Sequence, residues 1–163
     1  MARIETASRN LIVVGDLTVN YDQTPAEAIE GMNNNSLIAS DYPQALWSGG
    51  KSGVVEGVTI PIYWPREPFS ISEGRRLQSE IGYGLPAELA ALRDEEIRKA
   101  LWDMGVWWIV TLGQSNEVLW QHGGDFRPVC LDLDPDYHGF NLDYADYDWG
   151  SRNAFVGAPQ VPK

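Results

Sequence analysis

Val106-Trp107-Trp108-Ile109-Val110-Thr111-Leu112 is an apolar run broken only by Thr111 and bounded by Gly105 and Gly113. Seven residues rich in β-branched and aromatic side chains are too few for a helix and suit a strand covered on both faces. Trp107 and Trp108 are adjacent on that strand and must point to opposite faces, so one is expected in the core and the other under a helix or lining a pocket.

Upstream of this strand, Leu85, Leu89 and Leu92 form one helical stripe, and Ile97, Leu101 and Met104 form another that is out of phase with it. The phase slips at Arg93-Asp94. Asp94 is a suitable N-cap with Glu95 and Glu96 in the first turn, which predicts two short helices with Gly105 as the stop. Downstream, Gly113 to Asn116 reads as a turn, and Glu117 to Gln121 as a strand pairing back on the apolar run. Phe126 to Asp134 alternates Val129, Leu131 and Leu133 with Cys130, Asp132 and Asp134, and Asn153 to Val156 offers a last strand. The C-terminal half therefore reads as an antiparallel meander.

In the first half, Leu11 to Asp22 opens apolar and then alternates, with Leu17, Val19 and Tyr21 on one side. Thr24 and Glu27 form a capping box around Pro25 for a helix to about Met32. Asn33 to Gly53 is rich in turn residues and reads as an exposed connection. Val54 to Trp64 resumes a period of two, with Pro61 arguing for an edge or a bulge. Ser70 and Glu73 begin a further helix that Gly82 would end. Helices among strands followed by consecutive strands predict an α+β fold, a mostly antiparallel sheet with short helices packed on one side. A length of 163 residues suits one domain, 1–163, with 1–9 and 157–163 as loose tails.

The chain is 44% hydrophobic and 21% charged, a globular mixture, and its formal net charge of −11 disfavours direct contact with nucleic acid or anionic lipid. No run approaches the roughly 18 apolar residues of a membrane span, and no signal segment is evident near Met1. One cysteine, Cys130, cannot form an internal disulfide and reads as a buried side chain. These features set the expectation of a cytoplasmic protein with a basic protein partner.

Few motifs carry specific chemistry. Gly50-Lys51-Ser52 lacks the earlier glycine and the flanking strand and helix of a phosphate-binding loop, and Gly113-Gln114-Ser115-Asn116-Glu117 lacks the second glycine of a nucleophile elbow. Both read as turns. His122 and His138 with Asp132, Asp134 and Asp136 offer a set for a divalent metal. Asp132, Asp134, Asp136 and Asp143 echo a calcium loop, but Tyr137 stands at its glycine position. The same segment mixes acids (Asp132, Asp134, Asp136, Asp143, Asp146, Asp148) with Tyr137, Phe140, Tyr144, Tyr147 and Trp149. Aromatic anchors among carboxylates suit a surface for a basic protein. Trp64, Trp107 or Trp108 could alternatively stack on a flat small ligand.

Several segments together resemble a poorly characterised family of small phage and uncultivated-bacterial proteins. These are Val19-Asn20-Tyr21-Asp22, Ala26 to Met32, Ile38 to Pro43, Gly82-Tyr83-Gly84-Leu85-Pro86-Ala87-Glu88-Leu89, Thr111 to Ser115 and Trp149 to Val156. Asp94 to Lys99 and the long acidic segment after Asp132 depart from the family's spacing. The resemblance implies a compact accessory protein without catalytic residues or a resident cofactor, such as an inhibitor of a host defence or nucleic-acid-handling complex. The expected function is thus a non-enzymatic acidic binding protein. A small metal-dependent hydrolase or calcium-binding module is the alternative, and a small-ligand sequestering protein is a further one.

Overall fold

A computed structural model describes residues 3–33, 42–145 and 148–161. β1 (Arg3–Thr6) and β2 (Leu11–Asn20) form an antiparallel hairpin, in register from Arg3 opposite Gly15 to Thr6 opposite Ile12. The expected loose start is thus a paired edge strand. In β2 the buried residues change parity, from Ile12 and Val14 to Leu17 and Val19. The change falls at Gly15-Asp16, where Asp16 adopts a φ of 58° and the pairing with the next strand shifts. A bulge there absorbs one residue, so both apolar sets face the same core.

α1 (Pro25–Ala28) has both halves of the Thr24–Glu27 capping box but stops short of Met32. α2 (Gln44–Ser48) lies where an exposed connection was expected. Its Trp47 is fully buried and meets Tyr42 and Phe140 edge-on. A five-residue helix is too short to show periodicity, and one tryptophan anchors it. Residues 34–41 of the same connection lie outside those described.

β3 (Val54–Tyr63) is followed by α3 (Ile71–Gln78), which has the Ser70–Glu73 capping box and ends before Gly82. α4 (Pro86–Ala90) and α5 (Glu95–Met104) are the two helices read from the phase slip. Asp94 accepts from the Glu96 amide, and Gly105, at φ 112°, closes α5 in the left-handed region that glycine tolerates. The remaining strands are β4 (Trp108–Val110), β5 (Trp120–His122), β6 (Asp125–Arg127), β7 (Val129–Asp132), β8 (Gly139–Leu142) and β9 (Asn153–Val156).

Seven strands form one sheet in the order β1-β2-β3-β9-β4-β7-β8, mostly antiparallel, with short helices against it, and the fold is α+β. β9 lies between β3, to which it is antiparallel, and β4, to which it is parallel. This overturns the simple meander. Both edges of β4 are taken, by β9 and β7, so residues 117–121 cannot pair with it. Asn116–Val118 instead forms a 3-10 turn, and β5 pairs with β6 as a separate two-stranded ribbon.

Pro61 sits in an interior strand rather than at an edge. Its missing amide falls where the β9 ladder, which covers Ile62 and Tyr63, gives way to the bridge between Thr59 and Gln160. In that gap the Pro61 carbonyl still accepts from Gly157. The Ala158 amide donates to Ile81, so residues 157–160 are tied down and not a loose tail.

The larger core packs α1, α2, α4 and α5 on one face of the sheet, around Val58, Ile60, Ile62, Ile109, Leu131 and Phe140. The smaller core, on the other face, joins Phe69, Val110, Leu112, Cys130, Trp149 and Phe155 to Ile71 and Leu77 of α3. Gly74 permits this contact, because a Cβ there would lie 2.6 Å from Leu112. Among the described residues no helix is long and apolar enough to cross a membrane.

A carboxylate is sunk in the larger core. Glu88 is fully buried, accepts from the Tyr21 hydroxyl at 2.6 Å and the Leu85 amide at 2.7 Å, and meets Lys51 Nζ at 3.4 Å. It thereby caps α4 and pins that helix to β2. Burial and the adjacent carboxylate push the Tyr21 phenol well above its ordinary range. Glu88→Ala leaves two buried donors unpaired and is expected to cost about 3 kcal/mol in urea unfolding, against about 1–2 kcal/mol for Tyr21→Phe.

Candidate functional site

Strand register lays out a polar site on the smaller-core face. Asn153 of β9 lies opposite Trp108 of β4, which lies opposite Asp132 of β7. Two residues along, Phe155, Val110, Cys130 and Asn141 form the next cross-strand row. Residues two apart share a face, so both rows look the same way. α3 covers the Phe155 end and leaves the Trp108 end open. The incoming segment before β9 supplies a wall: Phe69 and Trp149 exchange two backbone hydrogen bonds of 2.9 Å, and their rings stack at 5.7 Å.

The result is a recess of about 370 Å³ lined by Trp108, Cys130, Asn141, Asp143, Trp149 and Asn153. One carboxylate lines it and a second stands next to it: Asp143 lies near Trp149 and the Cys130 thiol, and Asp132 lies across the strand pair from Trp108. The Asp134 amide donates to Asp132, at 3.1 Å. Asn153 is occupied by the Gly150 amide at 2.9 Å, which fixes the turn that positions Trp149.

Burial raises the pKa of both carboxylates above the ordinary aspartate value. For Asp132, burial outweighs its hydrogen bonds, and the charges of Asp134 and Asp143 add to the rise. For Asp143, burial outweighs the favourable polarity of the nearby Cys130 and Trp149 side chains and the attraction of Arg127. The Cys130 thiol is pushed far up by burial and by both carboxylates. Raised carboxylates inside a lined recess are the pattern of a functional site.

The acidic segment is thus not one continuous surface. Asp143 and Trp149 line the recess, with Asp132 beyond Trp108 on the same face, and Trp149, only 1% exposed, is a wall rather than a contact residue. Asp134, Asp136 and Tyr137 belong to the β7–β8 turn at the far end of β8, where the Asp136 amide donates to Asp134. Tyr144 is exposed, with the Arg127 guanidinium 4.1 Å from its ring centre, and Asp148 is exposed. Asp146 and Tyr147 lie outside the described residues. The chain matches no protein-family model, no curated protein and no solved structure.

The alternative metal set is not drawn together. His122 is exposed on the β5–β6 ribbon, its ring 4.4 Å from that of Trp120, and His138 is in the β7–β8 turn. Among the described residues no group of three or more histidines, cysteines or acids is placed to hold a metal ion. Of the three tryptophans considered for stacking, Trp64 is buried under Arg66 and Trp107 lies between Trp102 and Arg152, so Trp108 alone lines this recess. Neither Trp107 nor Trp108 is a full core residue: Trp108 borders the open recess, and Trp107 packs against Trp102 and Arg152. Asn141 and Asn153 escaped the sequence reading. Their one available signal was the parity shared with Cys130 and Trp108, which is useless until strand order is known.

Two outcomes follow from this environment. A carboxylate whose pKa is raised by folding holds its proton more tightly in the native state, so stability grows as pH falls through the raised value toward the ordinary aspartate value. Asp143→Asn removes a desolvated charge and is expected to raise the midpoint of thermal unfolding at pH 7 while flattening that acid-side gain, as read by calorimetry across pH. Cys130 is expected to resist a thiol reagent at pH 8 in the native protein and to react fully once unfolded, because a buried thiol offers little thiolate.

Proposed function

We propose that the chain is a non-enzymatic acidic binding protein whose recess receives a basic side chain from a protein partner. The observation that carries this reading is Asp143, a desolvated carboxylate beside a half-exposed indole, with no cation in ion-pair contact among the described residues. Arg127 attracts it, but from beyond ion-pair distance. A guanidinium entering the recess gains a charge-assisted hydrogen bond to Asp143 and a cation–π contact with Trp108. It also relieves the cost of leaving the carboxylate ionised away from water.

The surrounding charge favours the same class of partner. A net charge of −11 speeds encounter with a basic surface and weakens the complex as salt rises. Exposed Tyr144 and Asp148 flank the segment that carries Trp149 and extend the contact beyond the recess. The resemblance to small phage proteins suggests a partner in a host defence or nucleic-acid-handling complex, where basic surfaces are common. The role is then competitive: an acidic protein occupies a basic face.

N-acetyl-arginine amide is the minimal probe. It is expected to shift the Trp108 indole resonance saturably at pH 7, with affinity falling as pH drops and Asp143 takes up its proton. Asp143→Asn is expected to weaken it about tenfold. An unshifted indole, or equal binding by Asp143→Asn, overturns the reading. A rise in thermal stability with calcium instead would favour the metal-binding alternative.

A further inference from the structure

A second recess, of about 460 Å³, lies on the opposite face of the sheet, between α5 and the β7–β8 turn. Arg98 and Lys99 line it from the helix, and His138 lines it from the turn. Arg98 is only 8% exposed, yet the ion pairs among the described residues are Arg3–Asp16 and Lys51–Glu88, and neither involves it. Its Nε donates to the Arg93 carbonyl at 2.8 Å, and its two Nη groups carry no hydrogen bond to described residues. The ends of the guanidinium thus line the recess with neither a hydrogen-bond partner nor a carboxylate within ion-pair distance among the described residues, and are open to an anion.

His138 points to the same conclusion independently. Its Nδ1 is shielded from solvent and has no hydrogen-bond partner. Buried polar atoms in native proteins are almost always paired, so an orphan nitrogen on a ring that lines the recess with Arg98 marks a donor that a ring rotation turns toward a ligand acceptor. The lysine completes the set: Lys99 is exposed, next to Arg98 on the helix, and free to close over an anion.

The rest of the lining limits the shape of that anion. Trp102, Leu133 and Pro135 give apolar walls, and Trp102 is held in place by stacking on Trp107 at 5.0 Å. Glu95 and Asp103, also on α5, add carboxylates that would repel a ligand with spread negative charge but accept from hydroxyl or amino groups. We propose that this recess binds a flat-ringed organic anion, with its single anionic group on Arg98, Lys99 and His138 and its ring on Trp102, Leu133 and Pro135. Nucleoside monophosphates and aromatic carboxylates share this chemistry. The site is separate from the Asp143 recess, and each stands or falls without the other.

Calorimetry and Trp102 indole resonances of the full chain test it, with adenosine monophosphate, benzoate, adenosine and inorganic phosphate as probes. Either organic anion is expected to bind saturably, with adenosine and phosphate at least about tenfold weaker. Preference for the nucleotide or for benzoate tells which source supplies the anion. Lys99→Gln and His138→Asn alter positions outside the core and are each expected to weaken binding by about tenfold, while N-acetyl-arginine amide still binds the other recess. The inference is overturned if neither anion saturates at millimolar concentration, or if both variants bind as the parent does.

Discussion

The structure depends on the place of β9. The strands β1, β2 and β3 form one ladder and β4, β7 and β8 another, and the two are joined in the sheet only through Asn153–Val156. Four residues make that join, and all four are buried. Ile62 opposite Val156 fixes one register and Ile109 beside Ala154 fixes the other. A one-residue slip in either would exchange the faces of Ala154 and Phe155, and so push an aromatic ring into the larger core and an alanine under α3. Because β9 is among the last parts of the sequence, the central contacts span long stretches of chain, and the loop-closure entropy is repaid only when the whole sheet forms.

The same constraint builds the carboxylate recess. Asn153 reaches its place opposite Trp108 only when β9 is inserted, and the segment leading into it lays Trp149 across Phe69. The two indoles near Asp132 and Asp143 thus come from parts of the chain that meet through β9. Burying two carboxylates is unfavourable, and the smaller core, with Phe155 in the middle of its aromatic contacts, supplies the packing that tolerates it. Binding chemistry and fold closure share one strand.

What was legible in the sequence was local. Thr24 with Glu27, Ser70 with Glu73, and the phase slip at Asp94 each act within one helical turn, and the structure has all three. The α+β class followed from such elements. Trp47 was missed because a five-residue helix between Pro43 and Gly49 shows no period, and its role rests on Tyr42 and Phe140, the latter 93 residues away in sequence. Pairing was misread where it is non-local: nothing near Glu117 reveals that β4 has no free edge. Pro61 was legible in part: it is not at an edge, but its missing amide falls where the neighbour's ladder lapses and the register slips by one residue, the irregularity it argued for. Half of the recess was legible as acids in a run, and the other half, Trp108 and Asn153, depended on strand order.

Net charge alone would have drawn one acidic surface, yet the structure separates the charges by face. The carboxylates that matter on one side are those withdrawn from water, where a missing cation costs most, and exposed Asp136 and Asp148 contribute mainly long-range attraction. On the other side the uncompensated group is positive, Arg98, although acids outnumber bases by 11 in the chain. That it stays unpaired, beside the orphan nitrogen of His138, argues that solubility alone does not account for where this chain places its charges.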